Sequence, residues 1–387
     1  MTLPFSYNAR NVVVRWRSSA ATVLIIALVV AVCLILQAMA QGIVSSTSAT
    51  GDPANVIIVR KGSTAESSSI VTRTQARRIQ FLPQVQRDER GDPISSAEVV
   101  VLANLRRRGG AGEANVSLRG ISPAGRALRP QVRLAEGRWF VPGKREVVVS
   151  RRLAPRFEGL GLNERFKSGA HSLAVVGIFD AVGTAFESEI WLDANEARSL
   201  FDREQFSSVI VRVPSPADQQ AMKKSLESDK QLRLLALPEP EYYAKLTKSA
   251  GPIRFLGYFL AATLSVGAVF AAMNAMYAIV GRRTREVGTL RILGYPRRII
   301  MLGFLMEGGL LALAGGALGC ALAAPFNWVT TSTISFDSFS EIVFKFHITP
   351  WLIIQALAFS FAIGVAGSFL PALRVSRLPV IAAVKAV

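Results

Sequence analysis

The sequence predicts an α-helical integral membrane protein with four transmembrane helices, plus a large α+β domain of two lobes inserted between the first and second helix. The first observation is that the chain of 387 residues has a mean hydropathy of +0.34 despite a formal net charge of +18, so its apolar residues must lie in long runs. The second is the long mixed segment 42–252 between the first two runs. That segment is long enough for one or two compact domains.

Four apolar runs with few or no charges each reach the roughly 20 residues that a spanning helix needs. The predicted spans are residues 20–41, 253–281, 299–329 and 348–373. The first run follows a short basic tail, as a signal peptide would, but its apolar core exceeds the roughly 7–15 residues typical of a signal sequence. We therefore expect an uncleaved membrane anchor.

The placement of lysine and arginine in the short segments predicts the orientation of the chain. The tail 1–19 has three arginines and the segment 282–298 has six, whereas 330–347 has one lysine against two acidic residues. We expect the two tails, 1–19 and 374–387, and the segment 282–298 to be cytoplasmic. The short loop 330–347 and the domain 42–252 are expected on the other side of the membrane.

Short valine- and isoleucine-rich runs alternate with turn residues in the large domain, a pattern typical of strands. The predicted strands are 55–63, 97–105, 145–150, 171–180, 187–192 and 207–215. Helical spacing is found at 74–85, 193–202 and 216–228. The domain is therefore predicted to be α+β, with a second lobe that includes the stretch from about Ser95 to Arg138.

The run "RRRGGAGE" at 106–113 leaves two interpretations open. It could contact an anionic lipid, a polymer or an acidic partner, or it could be the solvated end of a hairpin.

Known catalytic motifs are missing from the sequence. It has no GxxxxGK[ST] phosphate loop and no GxSxG nucleophile elbow. Its two histidines are far apart, so a histidine and cysteine metal site is not expected. We predict no catalytic residue and no metal ligand in this chain.

The segment 282–298 holds six arginines between two apolar runs. Val287, Leu290 and Leu293 recur at helical spacing, and Glu286 lies four residues after Arg282, which favours an ion pair. Gly294 followed by Tyr295-Pro296 is a typical helix stop. The pattern predicts a short amphipathic helix at the cytoplasmic face, and the alternative is a basic loop that only fixes topology.

Polar and small residues also mark the spans. Glu307 lies roughly 12 Å into the third span by helical rise, where an ionisable group is usually paired or functional. We expect Asn274 and Tyr277 as its partners and a structural or coupling role rather than proton transport. A stripe of small residues predicts close helix packing, against spans of the same chain or against a second copy. Its members are Gly308, Ala312, Gly315 and Gly319.

These residues resemble the permeases of the macrolide-exporter and cell-division type, the MacB/FtsX-like or type VII ABC transporter permeases, which include lipoprotein-releasing members. The resemblance rests on "RTREVGTLRILGY" (283–295) after the second span and "FLME" (304–307) beyond it. "MNAM" (273–276) and the C-terminal "PALRVSRLPVIAAVKAV" are similar to other segments of the family. In the large domain, "LAEGRWFVPGKREVVVSRRLA" (134–154) is similar to the family's core-domain signature.

The resemblance implies that the short cytoplasmic helix fits a groove of a cytoplasmic ABC ATPase and passes its motion to the spans. The residues implied in this coupling are Arg283, Arg285, Glu286, Gly288, Arg291 and Gly294. ATP and Mg²⁺ would bind to the ATPase and no cofactor to this chain. Because the chain opens about 19 residues before its first span, we expect the ATPase to be a separate subunit.

The resemblance also implies further partners. These are a second permease copy (a homodimer favoured over a heterodimer), a periplasmic adaptor and membrane lipids, with no nucleic acid. The expected location is the bacterial inner membrane, with the large domain periplasmic. The favoured function is a permease working by mechanotransmission that exports or extracts an amphipathic, peptide or lipid-linked substrate. The alternative is a transenvelope signalling permease that activates a cell-wall hydrolase.

Overall fold

The computed structural model describes residues 16–110, 112–181, 183–229, 231–246, 251–334 and 338–377. The chain divides into two compact units. The membrane unit comprises Met1–Gln41, Pro252–Val329 and Phe346–Val387, and the core-domain unit comprises Gly42–Gly251 and Thr330–Lys345. Residues 1–15 of the predicted N-terminal tail and residues 378–387 of the predicted C-terminal tail lie outside the described residues.

The helices and strands are numbered in chain order. The helices are α1 (Trp16–Ser48), α2 (Arg73–Gln80), α3 (Pro123–Ala127), α4 (Ala194–Leu200), α5 (Pro216–Ser228), α6 (Glu239–Leu246), α7 (Gly251–Arg282), α8 (Thr284–Ile292), α9 (Arg297–Ala323) and α10 (Pro350–Ser376). The strands are β1 (Asn55–Arg60), β2 (Ser95–Arg106), β3 (Glu113–Ile121), β4 (Arg133–Gly137), β5 (Glu146–Ser150), β6 (Arg165–Ser168), β7 (His171–Asp180), β8 (Glu189–Asp193), β9 (Ser208–Arg212), β10 (Leu234–Pro238), β11 (Thr330–Ile334) and β12 (Glu341–Lys345).

Four helices among the described residues are long and apolar enough to cross a membrane, which confirms the predicted fold class. They are α1, α7, α9 with the 3₁₀ turn that follows it, and α10. Helix α1 continues to Ser48, beyond the predicted end of the first span at residue 41. Its last turns can hold polar residues because Ser45 and Ser46 donate hydrogen bonds back to helix carbonyls three residues earlier.

Small residues let the spanning helices pack closely within the chain. A Cβ on Gly315 or Gly319 would lie within 2.9 Å of a carbonyl oxygen of α1. One on Gly308 would overlap the hydroxyl of Ser368 on α10. Ala312 is fully buried and faces Gly364 of α10. The sequence left two partners open for this stripe, and the structure places it against helices of the same chain.

The core-domain unit is organised around one sheet. Among the described residues ten strands follow the order β10-β1-β9-β2-β3-β8-β5-β7-β4, with β6 paired to β7. Strand β2 joins two halves, because Ser95–Glu98 pairs with β9 while Val99–Arg106 pairs with β3. The two predicted lobes are therefore the two halves of a continuous sheet, and the second half extends past Arg138 to β8.

Six of the ten strands of the sheet were predicted (β1, β2, β5, β7, β8 and β9), and β3, β4, β6 and β10 were missed. Strand β7 and helix α5 have the predicted bounds. Helix α5 starts where predicted because Ser215 accepts a hydrogen bond from the Asp218 amide, at 3.2 Å, ahead of Pro216. Strand β4 was not predicted, since its sequence, RLAEG, is largely exposed and carries no apolar alternation.

The basic run 106–113 is the end of a hairpin. Strands β2 and β3 pair up to Arg106 opposite Glu113, and the glycines between them have the positive φ angles that a tight turn requires. Arg108 forms a 2.9 Å ion pair with Glu164. The run therefore forms the end of a hairpin, as one of the two interpretations predicts.

The segment 330–347, predicted as a short loop, forms the hairpin β11–β12 and belongs to the core-domain unit. The Val343 amide donates to the Ser188 hydroxyl at 2.7 Å, and the Val343 side chain lies in the apolar core of the sheet. Glu341 is 1% exposed and is held by Arg107 at 2.5 Å and Arg156 at 3.1 Å. Sequence analysis missed the hairpin because the segment is short and polar at its start.

Candidate functional site

The helix α8 predicted between the second and third spans forms from Thr284 to Ile292, shorter than the segment 282–298. Its end is fixed by a Schellman motif. The Tyr295 amide donates to the Leu290 carbonyl at 3.1 Å, and the Gly294 amide to the Arg291 carbonyl at 3.2 Å. Gly294 has φ +88°, a conformation that side chains with a Cβ rarely adopt. The predicted glycine stop is confirmed, and α8 is a capped, rigid element.

Arg283 joins α8 to the third span. Its guanidinium donates from Nε to Glu286 Oε2 at 2.8 Å and from Nη1 to Glu307 Oε2 at 2.6 Å. It also lies over the Phe304 ring, 5.3 Å from the centroid. Arg283 is only 5% exposed and Glu307 3%. We call Arg283, Glu286, Glu307 and Phe304 the Arg283 junction.

The junction corrects two predicted pairings. The spacing favoured Arg282 as the partner of Glu286, and the structure shows Glu286 paired with Arg283 three residues before it. Asn274 and Tyr277 were expected at Glu307, and the structure places Arg283 there, while Asn274 is exposed on α7. Sequence reasoning missed this because the bend between α7 and α8, not spacing along one helix, brings Arg283 to α9.

The apolar stripe predicted on α8 divides between two faces. Val287 and Gly288 are buried, and Leu290 packs against the apolar cluster of the spans. Leu293, predicted on the same stripe, is 63% exposed, as is its neighbour Ile292 at 64%. One face of α8 is therefore anchored to the membrane unit, while its C-terminal end presents apolar side chains outward.

The remaining predicted coupling arginines lie at the two ends of α8, Arg285 in its first turn and Arg291 in its last. Arg285 is exposed, and Arg291 is partly buried, with no hydrogen-bond partner for its Nε among the described residues. Arg297 and Arg298, just beyond the glycine stop, are exposed. The exposed side chains of this region thus include two apolar ones, Ile292 and Leu293, and several arginines.

A second cluster of buried charge lies in the core-domain unit, and the sequence analysis did not predict it. Arg119 on β3 makes five hydrogen bonds of 2.8–2.9 Å to the carboxylates of Glu66, Glu98 and Glu189. Arg129 donates two hydrogen bonds of 2.7 Å to the Glu98 carboxylate. We call these five residues the Arg119 cluster, and each is 6% exposed or less.

Electrostatics inside the Arg119 cluster stabilise the charged forms. Burial alone would raise the pKa of Glu66, but the attraction of Arg119 and its hydrogen bonds outweigh burial and hold that pKa below its usual value. Burial would likewise lower the pKa of Arg119, and Glu189 and Glu66 raise it well above its ordinary value. The signal in the sequence was a charged residue at a buried position of each strand, Glu98 before the apolar run of β2 and Arg119 after Leu118 of β3.

The two ends of the segment Gly42–Gly251 of the core-domain unit are bonded to each other. Glu239, at the start of α6, accepts hydrogen bonds from the Asp52 amide at 3.0 Å and the Asn55 side chain at 2.9 Å. A Cβ on Gly51 would lie 2.4 Å from the Pro240 nitrogen, so these two segments touch through backbone. Burial raises the pKa of Glu239 above its usual value, although Arg129 opposes the shift. Because the segment after α1 and the start of α6 are bonded to each other, we expect movement of one to displace the other.

Within the described residues, no group of three or more histidine, cysteine or acidic side chains could hold a metal ion. The chemistry of the two clusters is ion pairing and hydrogen bonding. Both clusters position helices and strands.

Family models match almost the whole chain. The MacB-like periplasmic core domain matches residues 19–229, and the FtsX-like permease C-terminal domain matches residues 258–380. The first match covers the sheet of the core-domain unit except β10, and the second contains α8 and the Arg283 junction.

Curated relatives agree with these matches. A macrolide export ATP-binding/permease protein MacB from Burkholderia thailandensis is 29% identical over 53% of this chain and 32% of its own length. The uncharacterized ABC transporter permease YvrN from Bacillus subtilis is 35% identical over 27% of this chain and 24% of its own. A MacB protein from Bordetella avium is 25% identical over 73% of this chain and 45% of its own. The chain spans about a third of the length of the first of these relatives.

Solved structures that were found to be similar include the periplasmic region of MacB from Actinobacillus actinomycetemcomitans, which has a TM-score of 0.38 and 12% identity over 51% of this chain and 94% of that one. The extracellular domain of the ABC-type transporter YknZ from Gram-positive bacteria has a TM-score of 0.37 and 15% identity over 47% of this chain and 99% of that one.

The four spanning helices, the inserted domain and the capped helix after the second span define a multi-pass membrane protein with an extracytoplasmic domain. The family matches make the class more specific. The chain belongs to the MacB/FtsX-like ABC transporter permeases.

Proposed function

We propose that this chain is the permease subunit of an ATP-driven transporter that works by mechanotransmission. A cytoplasmic ABC ATPase, which binds ATP and Mg²⁺, docks on α8, and its closure moves the spanning helices. The Arg283 junction is the observation that carries this proposal. A force on α8 reaches α9 through a buried ion pair of 2.6 Å, whereas a flexible basic loop would absorb it.

The exposed end of α8 has the composition of a docking surface. Ile292 and Leu293 supply an apolar centre, with arginines at the rim. Aliphatic anchors surrounded by charge fit a groove on a partner protein, where the centre provides binding energy and the rim specificity. The Schellman motif keeps this end from unwinding under load.

In this mechanism, two contacts within the core-domain unit would pass on the movement of the spanning helices. The tie between Gly51, Asp52 and Glu239 joins the segment after α1 to the segment before α7. The β11–β12 hairpin, between α9 and α10 in sequence, is held by Glu341 on Arg107 and Arg156. Displacement of the spanning helices would therefore move the sheet as one body, which suits mechanical work on an external substrate.

We further propose that the core domain is periplasmic, that both termini are cytoplasmic in the inner membrane, and that the chain works as a dimer, a homodimer being favoured, with a periplasmic adaptor. The proposed substrate is an amphipathic, peptide or lipid-linked molecule exported or extracted from the periplasmic side. Supporting observations are the distribution of lysine and arginine and the kinship with macrolide export proteins.

The docking of α8 is tested by site-directed photo-cross-linking. In a chain with Cys33→Ala and Cys320→Ala, Leu293→Cys is labelled with a benzophenone maleimide and irradiated in native membranes. Leu302→Cys on α9 is the matched control, because Leu302 is 59% exposed and Leu293 63%. We expect an adduct with an ABC ATPase from position 293 and none from 302. Lipid adducts alone at both positions would favour a basic loop that only fixes topology.

The same preparation separates transport from signalling. ATP-dependent release of a substrate into the adaptor fraction would support export. Activation of a cell-wall hydrolase by ATP with no substrate released would instead support the signalling alternative.

A further inference from the structure

A lateral groove lies within the membrane unit between α1, α7 and α10, and no part of the coupling mechanism uses it. Its volume is about 230 Å³. The lining residues are Leu36, Gln37, Ala40, Gln41, Gly257, Tyr258, Thr349, Trp351, Leu352 and Gln355. This volume is below the roughly 300–1,000 Å³ of sites that enclose a whole small molecule, so the groove accommodates part of a larger one.

Three glutamine amides give the groove its chemistry. Gln37 and Gln41 lie one turn apart on the same face of α1, and Gln355 faces the groove from α10. Within the described part of the chain these three side chains make no hydrogen bond to protein. An amide without a partner at the edge of hydrocarbon is costly, so a bound group that accepts hydrogen bonds would stabilise it.

Depth in the bilayer identifies that group. Gln37 and Gln41 lie roughly 26 Å and 31 Å along α1 from Ala20, where the span begins, by a rise of 1.5 Å per residue. The hydrocarbon core is about 30 Å thick. The amides are therefore level with the ester carbonyls of the bilayer, and Tyr258 and Trp351 lie beside them, as aromatic residues do at this level.

The lining is also uncharged, with no carboxylate, ammonium or guanidinium group. It therefore does not bind a phosphate or a carboxylate directly. Leu36, Ala40 and Leu352 provide an apolar floor for methylene groups. We propose that the groove is a binding site for a bilayer phospholipid, whose glycerol ester carbonyls accept hydrogen bonds from Gln37, Gln41 and Gln355.

Gly257 allows the site to be blocked without disturbing the helices. A Cβ at Gly257 would meet only Leu36 Cβ, at the ordinary contact distance of 3.8 Å. Gly257→Phe therefore fills the groove. Gly267→Phe is the matched control on the same helix, because a Cβ there has nothing within 4 Å and Gly267 does not line the groove.

The test is native mass spectrometry of the full-length chain released from nanodiscs of phosphatidylethanolamine and phosphatidylglycerol. We expect one phospholipid retained per chain in the unmodified protein and in Gly267→Phe. Retention should fall roughly fivefold or more in Gly257→Phe and in the double variant Gln37→Leu, Gln355→Leu. Nanodiscs of diether lipids, which lack the carbonyls, should give the same loss with the unmodified protein.

Three outcomes would overturn the proposal. Equal retention in all variants would mean that only surrounding bilayer lipid is detected. Undiminished retention of diether lipids would remove the role of the amides. A retained molecule with no glycerol ester would show that the groove takes a different ligand. Monodisperse elution of each variant establishes that a loss of lipid does not come from misfolding.

Discussion

Two buried arginines, one in each unit of the chain, differ in how completely they are enclosed. Arg119 is surrounded by three carboxylates on a strand and its neighbours, and all of them are nearly inaccessible. Arg283 has two carboxylates, and one of these, Glu286, is 46% exposed on the first turn of α8. The Arg119 cluster is therefore enclosed on all sides. In the Arg283 junction, by contrast, Glu307 lies on a spanning helix and Glu286 lies on the accessible helix α8.

The difference shows how the same ion-pair chemistry is used in two ways. A buried and fully hydrogen-bonded cluster costs much to rearrange, so it holds the halves of the sheet together. In the proposed mechanism, a junction with one exposed arm passes a displacement on, because its inner pair stays closed while the outer helix is pushed.

Removing the central cation of the core domain should have the largest effect. Arg119→Met leaves the buried carboxylates of Glu66, Glu98 and Glu189 without compensation, and we expect a loss of about 3–5 kcal/mol in the free energy of unfolding of the core domain. Hydrogen exchange of the sheet amides in the full-length protein measures it. Arg138→Met is the control, because the Arg138–Glu146 pair has an arginine 53% exposed and should contribute about 0–1 kcal/mol. Equal effects of the two variants would contradict the role of enclosure.

The pH dependence of the core domain should separate two buried glutamates. The folded-state pKa of Glu66 is lowered, so its contribution is present above the unfolded pKa of about 4.3 and is lost as the pH falls through the lower folded value. The folded-state pKa of Glu239 is raised, so its ionisation opposes folding as the pH rises above the unfolded value. The two carboxyl groups act in opposite directions.

Replacing each glutamate by the isosteric glutamine tests whether its ionisation stabilises or destabilises the core domain. At pH 7, Glu66→Gln should destabilise the core domain by about 2–4 kcal/mol, while Glu239→Gln should leave it unchanged or raise its stability by up to about 1 kcal/mol. Below about pH 4 both differences should shrink, because the wild-type side chains are then increasingly protonated. Thermal unfolding of the full-length variants across this pH range measures both. A destabilising Glu239→Gln at pH 7 would show that its carboxylate is charged in the fold.

Neutralising the inner arm of the Arg283 junction should weaken coupling and leave the core domain intact. Glu307→Gln removes a charged hydrogen-bond partner of Arg283, which is worth about 1.5–3 kcal/mol. We expect faster exchange of the α8 amides, unchanged exchange in the sheet, and loss of substrate-stimulated ATPase activity. Glu286→Gln, at the exposed arm, should change α8 exchange less. If both variants leave hydrolysis stimulated, the junction does not transmit force.

The fold was predictable from the sequence because its signals are local. Four apolar runs gave the spans, and alternating strands such as β7 were found from their own residues. The end of α8 was predicted because glycine and proline act on the backbone at their own position. These features depend on neighbours along the chain, which the sequence displays directly.

The buried ion pairs were not predictable from the sequence, because each joins residues that are far apart along the chain. Arg283 reaches Glu307 across 24 positions, and Arg119 reaches Glu66 across 53. In the β11–β12 hairpin, Glu341 pairs with Arg107 and Arg156, which lie more than 180 residues before it in sequence. A lone charge in an apolar strand indicates that a partner exists, but many carboxylates and arginines could supply it.

The smallest effect on coupled hydrolysis should come from a change in the C-terminal cap of α8. This change tests the rigidity of α8 rather than the charges of the Arg283 junction. Gly294 has φ +88°, and an alanine there is strained by about 1–2 kcal/mol. Gly294→Ala should therefore fray the last turn of α8, seen as faster exchange of the Tyr295 amide, and reduce coupled hydrolysis partially. Gly281→Ala is the control, since Gly281 lies within α7, has open space at its Cβ and should become slightly more stable. A Gly294→Ala protein with frayed α8 but full coupling would show that the ion pair of Arg283 alone transmits the force and that the cap is dispensable.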